Sequence, residues 1–184
     1  MRKVTAGLFV SLDGVVESPE KWNSPYFDDE MGEAVGAAVA ASDAMLLGRV
    51  TYQEFASYWP KVSSHDQPFA DHMNDTPEFV VSTTLQEPLE WNNTTLINGN
   101  VAEEISRLKQ QPGKNIAITG SGTLVRSLTQ DGLLDELGLF VHPVVVGNGK
   151  RLFEGGGDQK ALELVDSKTF GSGVVSLTYR LADG

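Results

Sequence analysis

The sequence predicts an α/β fold, with a mostly parallel central sheet flanked by helices and antiparallel strands at the C-terminal end. Three observations predict it. Over the first two thirds of the chain, short apolar runs of strand length alternate with helical stripes, the pattern of repeated strand–helix units. Two of those runs end in glycines that open a helix, at Gly48 and at Gly120-Ser121-Gly122. In the last third the helical stripes stop and alternating strands continue alone, which adds antiparallel pairs at one side of the sheet.

The elements follow in order. Val4, Ala6, Leu8 and Val10 share one face of a first strand whose other face carries Gly7 and Phe9, so the run is apolar on both sides, as a central strand requires. A loop with Gly14, Pro19 and Pro25 precedes a helix striped by Met31, Val35, Ala38 and Val39. Asp28, Asp29 and Glu30 sit at its start, where acidic residues suit the helix dipole. Ala44–Leu47 is the second strand, and the helix after Gly48 fades before Pro60. Residues 61–76 are polar and read as a loop. Phe79–Ser82 and Thr94–Ile97 are further strands. Asn100 with Glu103 reads as a capping pair for a helix striped by Val101, Ile105 and Leu108. Asn115–Thr119 is the strand before Gly120, and Leu124, Val125 and Leu128 stripe the next helix. Leu137, Leu139 and Val141 then alternate, with Pro143–Gly147 extending the run, and Leu162 with Leu164 and Val175–Leu181 complete the set. No linker or repeat interrupts the chain, so residues 1–184 are expected to form one domain.

The formal net charge of −11 disfavours nucleic acid and anionic membrane partners. With no cysteine, disulfides and thiolate chemistry are excluded. The N-terminal run is broken by Thr5, Ser11 and Asp13 and reads as a strand, not a signal peptide. No stretch reaches membrane-spanning length, and a cytoplasmic location is expected.

Gly120-Ser121-Gly122-Thr123 stands where a helix N-terminus leaves N–H groups unpaired, and glycines would let a phosphate approach the backbone. Gly48-Arg49-Val50-Thr51 repeats the layout and adds a positive charge. Each junction alone is equally a plain turn. Together they could meet at the carboxyl ends of neighbouring parallel strands, where open α/β sheets bind ligands. Ser82 and Thr83 follow the third strand and read as strand-end caps or ligand hydroxyls. His65 and His72 lie in a polar segment at a spacing that fits no metal pattern, and no metal site is expected. His142 reads as a satisfied core or interface histidine, and Trp59 and Trp91 as packing aromatics.

The ordered set LLGRVTYQEF, FVVSTTL, IAITGSGTLVRSL and VHPVVVGNGKRLFEG, with SLDGVV at residues 11–16, resembles the dihydrofolate reductase-like family. It looks closest to the branch holding the C-terminal reductase domain of the bifunctional riboflavin-biosynthesis deaminase/reductase. The resemblance spans nearly the whole chain. It implies an NADPH-dependent reductase, often homodimeric, that transfers hydride to a small pteridine- or pyrimidine-like substrate. By that resemblance Gly48, Arg49 and Thr51 hold one side of the cofactor phosphates, and Ser82 and Thr83 lie near the adenosine ribose. Gly120, Ser121, Gly122, Thr123 and Leu124 would hold the pyrophosphate. The basic residue that related proteins often carry after the third-strand serine is absent here, where Thr83, Thr84 and Leu85 stand, so NADPH is the expected cofactor with NADH left open as the alternative.

Reduction of a C=N or C=O group also needs a proton, and a carboxyl with a raised pKa suits that task. Asp28 and Asp29, close behind Trp22 and Pro25, resemble the acid position of folate reductases, with the acid shifted by a residue. Asp13, in the Asp13-Gly14 turn of the first loop, is the other candidate. Asp13, Gly14 and Trp22 are expected on the substrate side. The plainer readings are an acidic helix start and an Asp-Gly turn. Three rivals stay open: a true dihydrofolate reductase, the riboflavin-pathway reductase itself, and a nucleotide-binding module without turnover. The second needs a basic pocket for a ribityl phosphate, and Lys150-Arg151 is the only adjacent basic pair late in the chain.

Overall fold

A computed structural model describes residues 1–182. Along the chain it forms β1 (Val4–Ser11), α1 (Asp29–Ala40), β2 (Ser42–Gly48), α2 (Arg49–Tyr58), α3 (Ala70–Asp75), β3 (Glu78–Val81) and β4 (Thr94–Ile97). It continues with α4 (Val101–Gln110), β5 (Asn115–Ile118), α5 (Gly122–Gln130), β6 (Glu136–His142), β7 (Leu162–Thr169) and β8 (Val175–Leu181). One eight-stranded sheet runs β4-β3-β2-β5-β1-β6-β8-β7. Pairings from β4 to β6 are parallel, and β8 is antiparallel to both β6 and β7. The mostly parallel sheet with antiparallel strands at its C-terminal end is therefore as the sequence predicts.

The two-residue strand period sorts the core onto the two faces of this sheet. Along β2, Ala44 and Leu46 turn to one face, where they join Ile105 and Leu108 of α4 and Leu124 and Leu128 of α5. Met45 and Leu47 turn to the other, against Tyr52 of α2, Met73 of α3 and Trp91. Met31 of α1 packs with Phe170 and Val174, beside Phe9 of β1 and Phe140 of β6. Edge strand β7 is exposed along its whole length.

Three local expectations are corrected. Residues 70–75 of the expected loop form α3, because Ala70 and Met73 bury a one-turn apolar face that a polar window average hides. Asn100 stands at the start of α4 in the left-handed region (φ 47°) and its side chain caps nothing. Residues 143–147 do not extend β6. After His142 the chain leaves the sheet, and Leu12 N–H donates to Val144 O instead.

Candidate cofactor and substrate site

The parallel strands β1, β2, β3 and β5 all end at one edge of the sheet. Because β2 and β5 are neighbours, with Met45 paired to Ala117, the two glycine junctions emerge side by side. They interlock. A Cβ built on Gly48 would lie 2.7 Å from Ser121 Cβ and closer still to its Oγ, and a Cβ on Gly120 would lie 2.9 Å from Thr51 Cγ2. Gly48 has an ordinary φ of −80°, so it is glycine for space and not for conformation. Gly122 is closed in similarly, with its Cβ position 3.2 Å from Val16 Cγ2 of the first loop. All three glycines let chain segments approach one another, so two helix N-termini come together.

The polar groups at this edge divide into used and available. Ser121, held left-handed at φ 66°, caps α5 by accepting from Leu124 N–H (3.2 Å). That leaves the N–H groups of Gly122 and Thr123 without an intrahelical partner. Helix α2 has no side-chain cap, so its first-turn N–H groups are likewise open to a ligand. Thr51 is buried, while Arg49 is exposed and donates to Gln53 Oε1 at 3.0 Å. Thr123 Oγ1 accepts from Arg126, whose guanidinium also donates to the carbonyls of Arg151 and Leu152 (both 3.1 Å). Sequence reasoning missed Arg126, whose partners lie in a distant loop. Ser82 is buried and its Oγ accepts from the N–H groups of Thr84 and Leu85 (3.1 Å each), the strand-end cap of the plainer reading, and Thr83 is exposed. This pairing of two open helix N-termini with Arg49 is a donor set that fits a pyrophosphate.

Two of the three expected proton donors, Asp13 and Asp28, are hydrogen-bond acceptors whose pKa is lowered. Asp13 accepts from Ser11 Oγ (2.6 Å), Val146 N–H (3.0 Å) and Gly147 N–H (2.9 Å), and these bonds hold its carboxyl far below the usual range. Asp28 caps α1 by accepting from Met31 N–H (2.9 Å), and it also takes Ser172 N–H (3.2 Å). The Met31 bond, first of these causes, lowers its pKa. Asp29 is an exposed residue of the first turn of α1. The expectation of a raised pKa at Asp13 or Asp28 is thus reversed, because each carboxylate is a hydrogen-bond acceptor for N–H groups that favour its ionised form.

Asp13 instead fastens the first loop to residues 144–152. Arg151 Nε donates to Asp13 O (3.0 Å), Val16 N–H donates to Lys150 O, and Val15 bridges Arg151 across Gly14, whose φ of 87° turns the chain. The Lys150-Arg151 pair therefore serves partly as structure. Asp13→Asn is expected to loosen both loops, since an amide cannot accept from both N–H groups and the Ser11 hydroxyl as a carboxylate does. The stability Asp13 adds is present above its unfolded pKa of about 3.8 and is lost as pH falls through its lowered folded value. Melting curves at pH 7 should show D13N below the parent. Equal melting temperatures would show that the loops are fastened elsewhere.

Trp22 lies against His142. Its ring meets the His142 ring edge-to-face at 5.2 Å, and Tyr26 (5.9 Å) and Phe9 (5.7 Å) complete the surround. His142, at the carboxyl end of β6 opposite Ser11, is 0% exposed. Its Nδ1 lies 2.8 Å from Phe140 O, so Nδ1 carries the hydrogen. Burial lowers the pKa, against the raising effect of the Phe140 and Val10 carbonyls, and the neutral ring leaves Nε2 as an acceptor. Nε2 has no partner. The expected satisfied histidine is therefore only half satisfied.

Residues 2–176 match the RibD C-terminal domain family. The chain belongs to that family. It is similar to the uncharacterized protein YyaP of Bacillus subtilis (strain 168), 33% identical over 97% of this chain and 94% of YyaP. Among solved structures it resembles the diaminohydroxyphosphoribosylaminopyrimidine deaminase/5-amino-6-(5-phosphoribosylamino)uracil reductase of Thermotoga maritima, with TM-score 0.68, 13% identity, and coverage of 98% of this chain and 57% of that one. It also resembles the dihydrofolate reductase of Enterococcus faecalis complexed with NADP(H), with TM-score 0.65, 14% identity, and coverage of 98% and 97%. At these identities the structural likeness carries the fold, which is the dihydrofolate reductase-like fold of the RibD reductase domains.

Proposed function

We propose that this chain is an NADPH-dependent reductase of a small pyrimidine- or pteridine-like ring. The observation that carries the reading is the interlocked pair of junctions at Gly48 and Gly120. In a RibD C-terminal domain fold, they bring the open N-termini of α2 and α5 together at the carboxyl edge of the sheet. Bound there, a reduced nicotinamide supplies the hydride. The chain's own residues do the rest. The N–H groups of Val50, Thr51, Gly122 and Thr123, with Arg49, take the pyrophosphate, and Ser82 and Thr83 flank the adenosine side. Asp13 and Gly14 hold the first loop to residues 144–152, and Val16 of the loop and Leu152 both pack against Gly122 at the start of α5. Asp28 and Asp13 act as positioning residues, and water brings the proton to the substrate nitrogen or oxygen.

Thermal melting with NADPH, NADH and no nucleotide tests this. At ~100 times its dissociation constant a ligand stabilises the fold by about 2.7 kcal/mol, which is several degrees for a chain of this size. A rise with NADPH is expected. No rise with either nucleotide would refute the reading. A second reading, a nucleotide-binding module without turnover, is favoured by one observation: both hydrogen-bonded candidate acids, Asp13 and Asp28, are held ionised. Binding of NADPH without its oxidation by pyrimidine or pteridine substrates would select it.

A further inference from the structure

Among the described residues, the buried side-chain atoms that lack a hydrogen-bond partner are Glu78 Oε1, His142 Nε2 and Ser172 Oγ. Glu78 lies at the amino end of β3, away from the cradle edge, and Ser172 lies in the β7–β8 turn. Ser172 shares the carboxyl edge of β6 with His142 but sits against Asp28 at the start of α1, whereas His142 stands beside the loop that Asp13 fastens. An unpaired acceptor in an apolar surround loses its hydration without a replacement and is costly. A hydrophobic side chain would avoid that cost, as Phe140 does two residues earlier on the same face of β6.

The rings around His142 are held unequally. Phe9 belongs to β1, but Trp22 and Tyr26 belong to the segment 17–27, which is built of two single turns, Pro19–Lys21 and Ser24–Tyr26. Both rings are only half-buried. Each is tethered by one long hydrogen bond, Trp22 Nε1 to Glu17 O (3.2 Å) and Tyr26 Oη to Pro143 O (3.4 Å). A ligand that displaced either ring would meet the imidazole in a slot walled by aromatic rings. Such a slot fits a planar heterocycle that presents an N–H at its edge: the rings hold its faces, and Nε2 pairs the donor. The Nδ1–H bond to Phe140 O fixes the imidazole so that Nε2 can only accept.

We infer that His142 Nε2 is the acceptor that reads a ring or amino N–H of the substrate, with Trp22 and Tyr26 as the walls of that subsite. This rests on the reductase reading and names the recognition element within it. The selectivity that follows is for N–H-bearing pyrimidines over their N-alkylated counterparts, since an alkylated edge leaves the buried nitrogen unpaired.

The test uses the full chain saturated with NADPH and two probes, 5,6-diaminouracil and 1,3-dimethyluracil, the second having no N–H. Binding is measured by calorimetry for the parent, His142→Phe and His142→Gln, with NADPH affinity measured in parallel. The expected result is a roughly tenfold or greater loss of 5,6-diaminouracil affinity in H142F. Recovery is expected in H142Q, whose amide oxygen can stand in for Nε2, with weak binding of 1,3-dimethyluracil throughout and unchanged NADPH affinity. Histidine-selective ¹⁵N spectra of the parent provide a readout that needs no variant to fold: the Nε2 resonance of His142 should move on adding 5,6-diaminouracil. Unchanged 5,6-diaminouracil affinity in H142F, an unmoved Nε2 resonance, or NADPH binding with no binding of 5,6-diaminouracil overturns the inference and leaves the reductase reading standing. Failure of the parent to bind NADPH overturns the reductase reading and the inference with it.

Discussion

Gly48→Ala is expected to destabilise the chain by about 2–4 kcal/mol, combining overpacking with the loss of a helix cap, and to weaken NADPH binding by more than tenfold. The new methyl would fall on the Ser121 side chain, 2.7 Å from its Cβ. Serine has no flexible end to swing away, so the Ser121 backbone must shift and its cap on Leu124 N–H opens. That displaces the first turn of α5 from α2, and the two N-termini no longer present their N–H groups together. The double variant Gly48→Ala/Ser121→Gly removes the collision, and glycine suits the left-handed φ of 66° at position 121. It should regain most of the melting temperature and of the NADPH affinity. If G48A melts within about 1 °C of the parent, where the expected loss corresponds to roughly 5–10 °C, the junctions are not locked. If the double variant regains stability without affinity, the Ser121 side chain itself contacts the nucleotide.

Glu78→Gln is expected to stabilise the chain at pH 8 and to change little at pH 5. Glu78 is 1% exposed at the start of β3, and its carboxyl accepts a hydrogen bond from Thr94 Oγ1 (3.0 Å) while its other oxygen is without a partner. Burial pushes its pKa up to about 8, against the lowering effect of that bond. Below about pH 4.5 both folded and unfolded chains carry the proton, so Glu78 costs nothing extra. Between about 4.5 and 8 the unfolded chain releases the proton while the folded chain keeps it. Stability therefore falls with rising pH across that window, by a few kcal/mol in all. Glutamine keeps an acceptor for Thr94 and has no proton to release. Denaturant unfolding of parent and variant from pH 5 to pH 8.5 should give curves that diverge with pH. Parallel curves would mean that Glu78 is ionised in the folded chain.

Much of the fold was legible in the sequence, and the reasons are local. Val4, Ala6, Leu8 and Val10 announce a strand because they alternate, and all four are buried on one side of β1. Ile105 and Leu108, and Leu124 and Leu128, announce their helices by spacing and are buried on them. The capping pair at Asn100 failed because capping depends on the backbone angles of one residue, and Asn100 is left-handed. The short helix at 70–75 failed because a six-residue element offers too few positions for a period to stand out.

The site was legible in place but not in reason. The two glycine junctions could be named from their strand–glycine–helix layout. That their glycines serve the contact between junctions was not, because neither sequence stretch contains the other. Asp13 shows the same limit. An aspartate before a glycine reads as a turn or an acid. Its role as the fastener of two loops depends on the N–H groups of Val146 and Gly147, 133 and 134 positions away.

By itself, then, the sequence determined the order and type of most elements, the switch from parallel to antiparallel pairing, the acidic balance, and the two junctions, because periodicity, turn chemistry and charge act between near neighbours. The tertiary structure alone decided which carboxylates are ionised acceptors, which glycines are there for space, and that His142 keeps an unpaired nitrogen among three rings. Those properties depend on desolvation and on hydrogen-bond partners that only the folded chain brings together.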